Sequence, residues 1–483
     1  MHTLPLQPPR LTTLPDAYYH PVLPTPLNHP FVMAYNSELA QQLGLPEHFL
    51  QQADNLLALS GSLTQWPHPP LATVYSGHQF GVYVPQLGDG RALILGESTD
   101  TQGHTWEWQL KGAGPTPFSR FADGRAVMRS SIREYLCSEA MQGLGIPTTR
   151  ALTLIGSPDQ ARRKGLEPTA IVTRLAPSFL RFGHFEYFYH RGEHALIRPL
   201  ADYLIEHYFA DCAEADEPYL ALFQAITQRS AALVASWQSV GFVHGVLNTD
   251  NMSLLGLTID YGPFGFMDRY QPRFEPNSSD ENRRYAYDQQ PYIVQWNLSM
   301  LASAMQPLVA TDDLLSTLQA YVDWYLDAYQ QRMRAKLGLT TTQADDGAFI
   351  EDLLDEMHTN RVDFTLFFRY LSDFDPTHPH VIPARLAQLW RDTATCKHGY
   401  NAMCCGGKQK IAYRLSASVQ WTASTPYTYC AIICSSKQLS KHRSNMIFVK
   451  LNAYKPACVR RLLSSNNLLI LRFQLQNGPN TCA

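Results

Sequence analysis

One stretch constrains this chain more than any other. It is Val243-His244-Gly245-Val246-Leu247-Asn248-Thr249-Asp250-Asn251, followed nine residues later by Asp260-Tyr261-Gly262. A long helical pattern precedes it. Set on the kinase pattern H-R-D-x-x-x-x-N…D-F-G, the His, the Asn and the Asp-x-Gly all match, and Val246 stands where the Asp of H-R-D would. In kinases that Asp accepts the proton of the attacking hydroxyl. The chain therefore keeps the metal-binding half of such a site and lacks its usual base. One acid, Asp250, survives beside the Asn.

The rest of the chain is ordered as this reading requires. Residues 1–60 begin Pro-rich, carry a short helical pattern over Ser37–Leu43, and read as an N-terminal extension packed on the main domain. Residues 61–185 read as strand-rich. Val82–Leu87 and Arg91–Glu97 flank Gly88-Asp89-Gly90, a hairpin signal. Trp106–Lys111 alternates strictly, with Glu107, Gln109 and Lys111 on one face and Trp106, Trp108 and Leu110 on the other. A helix over 130–144 follows, then a strand over 169–175. Residues 186–392 are helical, with patterns at 196–210, 219–240, 298–308 and 312–337. The expected fold class is α+β: a bilobal, protein-kinase-like fold with an N-terminal extension and an atypical C-terminal tail.

That tail, 393–483, holds 12 Lys/Arg and no Asp or Glu, whereas the first 392 residues hold 27 Lys/Arg against 42 Asp/Glu. It also carries seven of the nine cysteines, with neither a C-x-x-C pair nor finger-spaced histidines, so it does not read as a zinc module. A basic nucleic-acid-binding arm is one reading. The favoured one is a poorly ordered segment outside the catalytic unit. The body holds only Cys137 and Cys212, which suits a reducing compartment. No secretory leader pattern and no apolar run of about 20 residues is present, so the cytoplasm is the expected location and no membrane partner is expected.

Several residues carry chemistry in this frame. Asn251 and Asp260 offer the hard oxygen donors that Mg²⁺ takes alongside phosphate. Asp250 is the candidate base, or a solvated turn residue. Lys111 on a strand and Glu134 on the next helix match the kinase phosphate-holding pair, although Ser131-Ile132-Arg133-Glu134 also fits a helix capping box. Gly88-Asp89-Gly90-Arg91, Lys111-Gly112-Ala113-Gly114 and Asp123-Gly124-Arg125 can bring backbone N–H groups to phosphate, or form ordinary turns. Arg174 and Arg181 flank an apolar segment and suit a triphosphate, or lie on the surface.

Six motifs then converge on one family: Tyr75-Ser76-Gly77-His78-Gln79-Phe80-Gly81, Gln86–Arg91, Gln109–Gly114, Asp123–Val127, Ser130–Glu134 and His244–Met252. Over roughly residues 15–390 the chain resembles the selenoprotein O family of protein adenylyltransferases; the tail does not. The resemblance implies a kinase-like fold that binds ATP in a flipped orientation. It implies transfer of AMP, not the γ-phosphate, to Ser, Thr or Tyr of protein substrates. It also implies that Gly88, Gly90, Arg91, Lys111, Asp123, Gly124, Arg174, Arg181 and Asp260 bind nucleotide. Glu134 would pair with Lys111, Asn251 and Asp260 would hold Mg²⁺ or Mn²⁺, and Asp250 would be the base. AMP transfer attacks the α-phosphate, so the base need not occupy the position of Val246. Family members carry a Cys or selenocysteine near the C-terminus; Cys482 is penultimate here, and no redox role is assigned to it. No nucleic-acid partner is expected. The competing readings are a non-catalytic nucleotide-binding pseudokinase scaffold, favoured by Val246, and a small-molecule phosphotransferase.

Overall fold

The computed structural model describes residues 4, 6–339, 341–373 and 383–389. The segment from Thr393 onward, and with it every expectation about the tail, lies outside the described residues.

Alternating and apolar runs build the strands. These are β1 (Tyr19–Pro21), β2 (Phe31–Tyr35), β3 (Leu71–Thr73), β4 (Gly77–Gln79), β5 (Val82–Val84), β6 (Ala92–Thr99), β7 (Thr105–Lys111), β8 (Ala126–Val127), β9 (Arg150–Arg162) and β10 (Leu166–Ala176), with β11 (Phe242–Val243) and β12 (Gly265–Phe266) as a later pair. One antiparallel sheet runs in the order β1-β3-β6-β7-β10-β9-β2, with β8 also on β10. The N-terminal segment thus supplies the two outermost strands of this sheet. Trp108 and Leu110 of β7 enter an apolar core with Leu93, Leu95, Leu152 and Ile171. The opposite face, Glu107, Gln109 and Lys111, is buried as well. Polar side chains go underground there because each finds a partner: Glu107 accepts from the Phe179 N–H, Gln109 accepts from Arg174, and Lys111 pairs with Glu134 and Asp260.

The helices are α1 (Ser37–Gln42), α2 (Ala53–Leu59), α3 (Met128–Gly143), α4 (Phe182–His190), α5 (Ile197–Tyr208), α6 (Pro218–Val240), α7 (Gln290–Met305), α8 (Thr311–Leu337), α9 (Asp346–Thr359), α10 (Phe364–Tyr370) and α11 (Ala384–Ala387). α6 starts on Pro218, whose missing N–H costs nothing in a first turn. Its Leu222, Phe223, Ile226, Leu233 and Trp237 join the largest apolar cluster, with Phe185 and Phe188 of α4 and Val294 and Leu298 of α7. Helical readings over 130–144, 196–210, 219–240 and 312–337 correspond to α3, α5, α6 and α8. α7 begins earlier than the 298–308 pattern because Gln290 and Pro291 open it. No described helix is long and apolar enough to cross a membrane.

The hairpin expected at Gly88-Asp89-Gly90 does not form. Val82–Val84 pairs instead with Gly77–Gln79 through the two-residue turn Phe80-Gly81. Both turn residues have positive φ, 52° and 84°, the combination that a tight hairpin of this hand requires. Asp89 serves another purpose: its Oδ2 accepts from the Thr73 N–H at 2.9 Å and the Thr73 hydroxyl at 2.6 Å. That carboxylate pins the Gly88–Arg91 turn to β3.

Candidate active site

Five side chains from five elements meet in one ionic network. Lys111 ends β7, Glu134 lies in the second turn of α3, Arg174 is on β10, Arg181 caps α4, and Asp260 sits in the loop after Ile259. Lys111 Nζ lies 2.8 Å from Glu134 Oε2 and 2.7 Å from Asp260 Oδ1. Arg174 Nη1 lies 3.0 Å from Glu134 Oε1 and also bonds Asp260 Oδ1. Arg181 Nη1 donates to Asp260 Oδ2 and, at 2.8 Å, to the Asp250 carbonyl. The Lys111–Glu134 pair is therefore not private; each member has a second partner. Ser131 offers no cap, because the helix begins at Met128 and the Ser131 hydroxyl donates to the Val127 carbonyl at 3.1 Å. The capping-box alternative for Glu134 falls.

Three cations face two carboxylates in this network, and all but Asp260 are almost wholly buried. Burial opposes the charge on Asp260, yet Arg181, Lys111 and Arg174 hold its carboxyl well below the ordinary value. Burial pulls the Lys111 ammonium down, and the two carboxylates only partly restore it. One positive charge is in surplus, which suits an anionic ligand. Asp260 also has φ 60°, a left-handed backbone uncommon for a residue with a side chain and concentrated at functional sites.

The loop beneath is fixed by polar side chains of α7 and by His244. The Gln290 side chain accepts from the His244 N–H at 2.9 Å, and Asn297 donates to the Leu247 carbonyl at 3.0 Å. His244 Nε2 lies 2.8 Å from the Ile259 carbonyl, which ties this loop to the residue before Asp260. Asn251 Nδ2 donates to the Val246 carbonyl at 3.0 Å, which turns its oxygen to other partners.

Asp250 is buried, and burial pushes its carboxyl up to about 7, with Arg181 and Gln79 opposing. Its Oδ2 accepts from Gln79 Nε2 at 3.3 Å, while Oδ1 is buried with no hydrogen-bond partner. An unpaired buried carboxylate oxygen fits a proton, a hydroxyl or a cation as its missing partner. Gln79 was not singled out from the sequence, and neither was Gln109, which accepts from Arg174 Nη2. Its place on the same strand face as Lys111 was the available signal. The hairpin comes very close here: a side-chain carbon on Gly77 would lie 3.0 Å from Asp250 Cβ.

The glycine-rich turns gather at the Lys111 end of β7. Gly112 N donates to the Arg91 carbonyl at 2.7 Å, Thr116 Oγ1 to the Asp89 carbonyl at 2.7 Å, and Ser119 Oγ to the Gly90 carbonyl. Gly114 N reaches the Gly124 carbonyl at 3.2 Å. Gly88, Gly90, Arg91 and Gly124 thus border one pair of loops, and the charge of Arg91 is felt at Lys111. Asp123 is not brought into the network. It is exposed and held at 2.9 Å by both terminal nitrogens of Arg163.

The family model and the curated relatives agree with one another. The model of the family described as protein adenylyltransferase SelO matches residues 3–442. That match passes residue 390, so the limit drawn from the sequence alone was too short. A protein nucleotidyltransferase YdiU from Thioalkalivibrio sulfidiphilus is 50% identical over 370 residues, covering 75% of this chain and 75% of the relative. A protein of the same name from Vibrio cholerae serotype O1 is 50% identical over 366 residues, covering 76% and 74%. Among solved structures, ROP2 from Toxoplasma gondii, described as a virulence factor with a protein-kinase fold and no enzymatic activity, is matched over 74% of this chain and 95% of that chain at 12% identity, with a TM-score of 0.24.

Proposed function

This chain belongs to the protein adenylyltransferase SelO family, and from that premise we propose that it transfers AMP from ATP to a hydroxyl of Ser, Thr or Tyr in protein substrates. The observation that carries the reading is Asp250. Valine fills the kinase base position, and the nearby acid is buried, has a free oxygen, and is tuned by burial toward neutrality. A base with such a value takes up a proton most usefully near neutral pH.

In the proposed reaction the acceptor hydroxyl gives its proton to Asp250 Oδ1. Its oxygen bonds the α-phosphorus, the bond from that phosphorus to the β-bridging oxygen breaks, and pyrophosphate leaves with the electron pair. Lys111, Arg174 and Arg181 bind the phosphates, and their surplus charge stabilises the leaving group. Glu134 orients Lys111. Gly88, Gly90, Arg91 and Gly124 line the nucleotide loops, and Asp123 reaches the nucleotide only by giving up Arg163. The donor set at Asn251 and Asp260, an amide oxygen and a carboxylate, fits a hard divalent cation, Mg²⁺ or Mn²⁺. That ion would supply positive charge to the phosphates. The nucleotide is proposed to lie between a strand-bearing part, residues 61–185, and a helical part, 186–392, in a cytoplasmic protein.

ATP labelled at the α- or the γ-phosphate tests this. Label on protein from the α-position, absent from the γ-position, is expected. Label from γ would make the chain a phosphotransferase, and label from neither a nucleotide-binding scaffold.

A further inference from the structure

A second group of ligating side chains lies outside the nucleotide network. His78 sits on β4, and Glu186 and His190 sit four residues apart on α4, hence on one helix face. One ligand atom from each of the three lies within 4.8 Å of the others. His78 Nδ1 is 2.6 Å from Glu186 Oε2. Glu186 is fully buried, and its second oxygen, Oε1, has no hydrogen-bond partner. The proposed nucleotide chemistry uses none of these residues. Aromatic rings wall the group: Tyr83 lies 4.0 Å from the His190 ring and Trp296 5.4 Å from the His78 ring, centroid to centroid.

We propose that His78, Glu186 and His190 form a binding site for a borderline transition-metal cation of the Zn²⁺ class. Two imidazoles and a carboxylate are a three-ligand set that Zn²⁺ accepts, with the fourth position left to water, whereas Mg²⁺ prefers oxygen throughout. Bonds of about 2.0–2.2 Å require ligand atoms roughly 3.3–3.5 Å apart. The His78–Glu186 contact must open slightly, and the cation replaces the hydrogen shared there. His190, at the exposed end of α4, swings in to close the set. Burial also favours its neutral, ligating form.

The site would pin the β4–β5 hairpin to α4. That hairpin holds the loop of the candidate base: His78 N donates to Thr249 Oγ1 at 2.7 Å, Gln79 reaches Asp250, and Phe80 N donates to the Tyr285 hydroxyl at 2.8 Å. A cation here would stiffen the frame around Asp250 without touching nucleotide.

Co²⁺ serves as the probe, on full-length protein. The wild type should take up one equivalent with the intense visible absorption of a tetrahedral ion, and excess Mg²⁺ with ATP should leave that absorption in place. His190→Ala, an exposed substitution that threatens no core, should weaken uptake at least tenfold. His194→Ala, an exposed histidine one turn further on, should leave it unchanged. Zn²⁺ should raise the melting temperature of the wild type and not of His190→Ala. Equal Co²⁺ uptake by wild type and His190→Ala, or loss of the band under Mg²⁺ and ATP, or no tetrahedral band at all, overturns the proposal. A thiolate charge-transfer band that survives His190→Ala would place the ion on cysteines instead, and refutes it equally.

Discussion

The surplus cation in the ionic network makes a lopsided prediction. Lys111, Arg174 and Arg181 share Glu134 and Asp260, three positive charges on two negative ones. Glu134→Ala leaves three buried cations on one carboxylate. Removing one partner of a buried ion pair costs about 3–5 kcal/mol, because the remaining charge is stranded. Lys111→Met acts in the opposite sense. It forfeits two charge-assisted hydrogen bonds, each worth about 1.5–3 kcal/mol. It also removes the cation that burial already disfavours, and leaves two positive charges on two negative ones. Relief of desolvation is of similar size, several kcal/mol per buried ion. The net change in stability is expected within about 1 kcal/mol of zero. Combining the two substitutions should cost less than their sum by about 1–2 kcal/mol, since each changes what the other strands. Equilibrium urea unfolding followed by tryptophan fluorescence measures all three, with an unchanged slope as the check on two-state behaviour. Transfer from α-labelled ATP should fall about 10²–10³-fold in Lys111→Met despite its intact stability. If Lys111→Met destabilises as much as Glu134→Ala and the double variant equals the sum, the charge count does not govern this network.

Other outcomes follow from single contacts. Asp250→Asn should lower AMP transfer by about 10²–10⁴-fold while nucleotide binding, measured by calorimetry, is kept. Gln79→Leu removes a hydrogen bond of about 1 kcal/mol from the Asp250 carboxylate and should slow transfer about fivefold without changing the KM for ATP. Both oxygens of Asp260 are occupied by cations, so Mg²⁺ alone should bind weakly and ATP should strengthen its binding, because phosphates draw the arginines away; titrations with and without a non-hydrolysable ATP analogue check this. Burial raises Glu107 to about 8, so between its unfolded value of about 4.5 and that point the folded state holds the extra proton and stability falls as pH rises. Glu107→Gln keeps an acceptor for the Phe179 N–H and should raise the urea midpoint at about pH 9, with little change at about pH 5.

Placements that depend on local spacing were legible in the sequence. The alternation of Trp106–Lys111 aimed Lys111 at the polar face, and the helical repeat after it carried Glu134. The H-x-x-x-x-x-D-N and Asp-x-Gly spacings put Asp250 and Asp260 near one another. What escaped was set by pairing across distance. The Asp-Gly signal at 89–90 is a genuine local preference, but Thr73 claims the Asp89 side chain, and a better turn is available at Phe80-Gly81. Asp123 carries a phosphate-loop pattern, and its carboxylate is held by Arg163, forty positions on, a pairing that no local pattern reveals.

The same distinction explains why Glu134 was ambiguous and why Gln79, although it stands in the Tyr75–Gly81 motif, carried no role of its own. A capping box and a kinase-type ion pair place the same residue types at the same spacing, and only the start of the helix separates them. Once α3 begins at Met128, the Glu134 carboxylate is too deep in the helix to cap it, and the remaining partners are the cations of β7 and β10. Gln79 carries no charge and belongs to no ligand pattern. It matters because Gly77 lets the hairpin press against Asp250 and leaves one amide within reach of a buried carboxylate. The candidate base is thus contacted from a segment about 170 residues away in sequence. A carboxylate whose environment is built this way owes its raised affinity for protons to packing, and substitution at Gly77 should disturb it as surely as substitution at Asp250 itself.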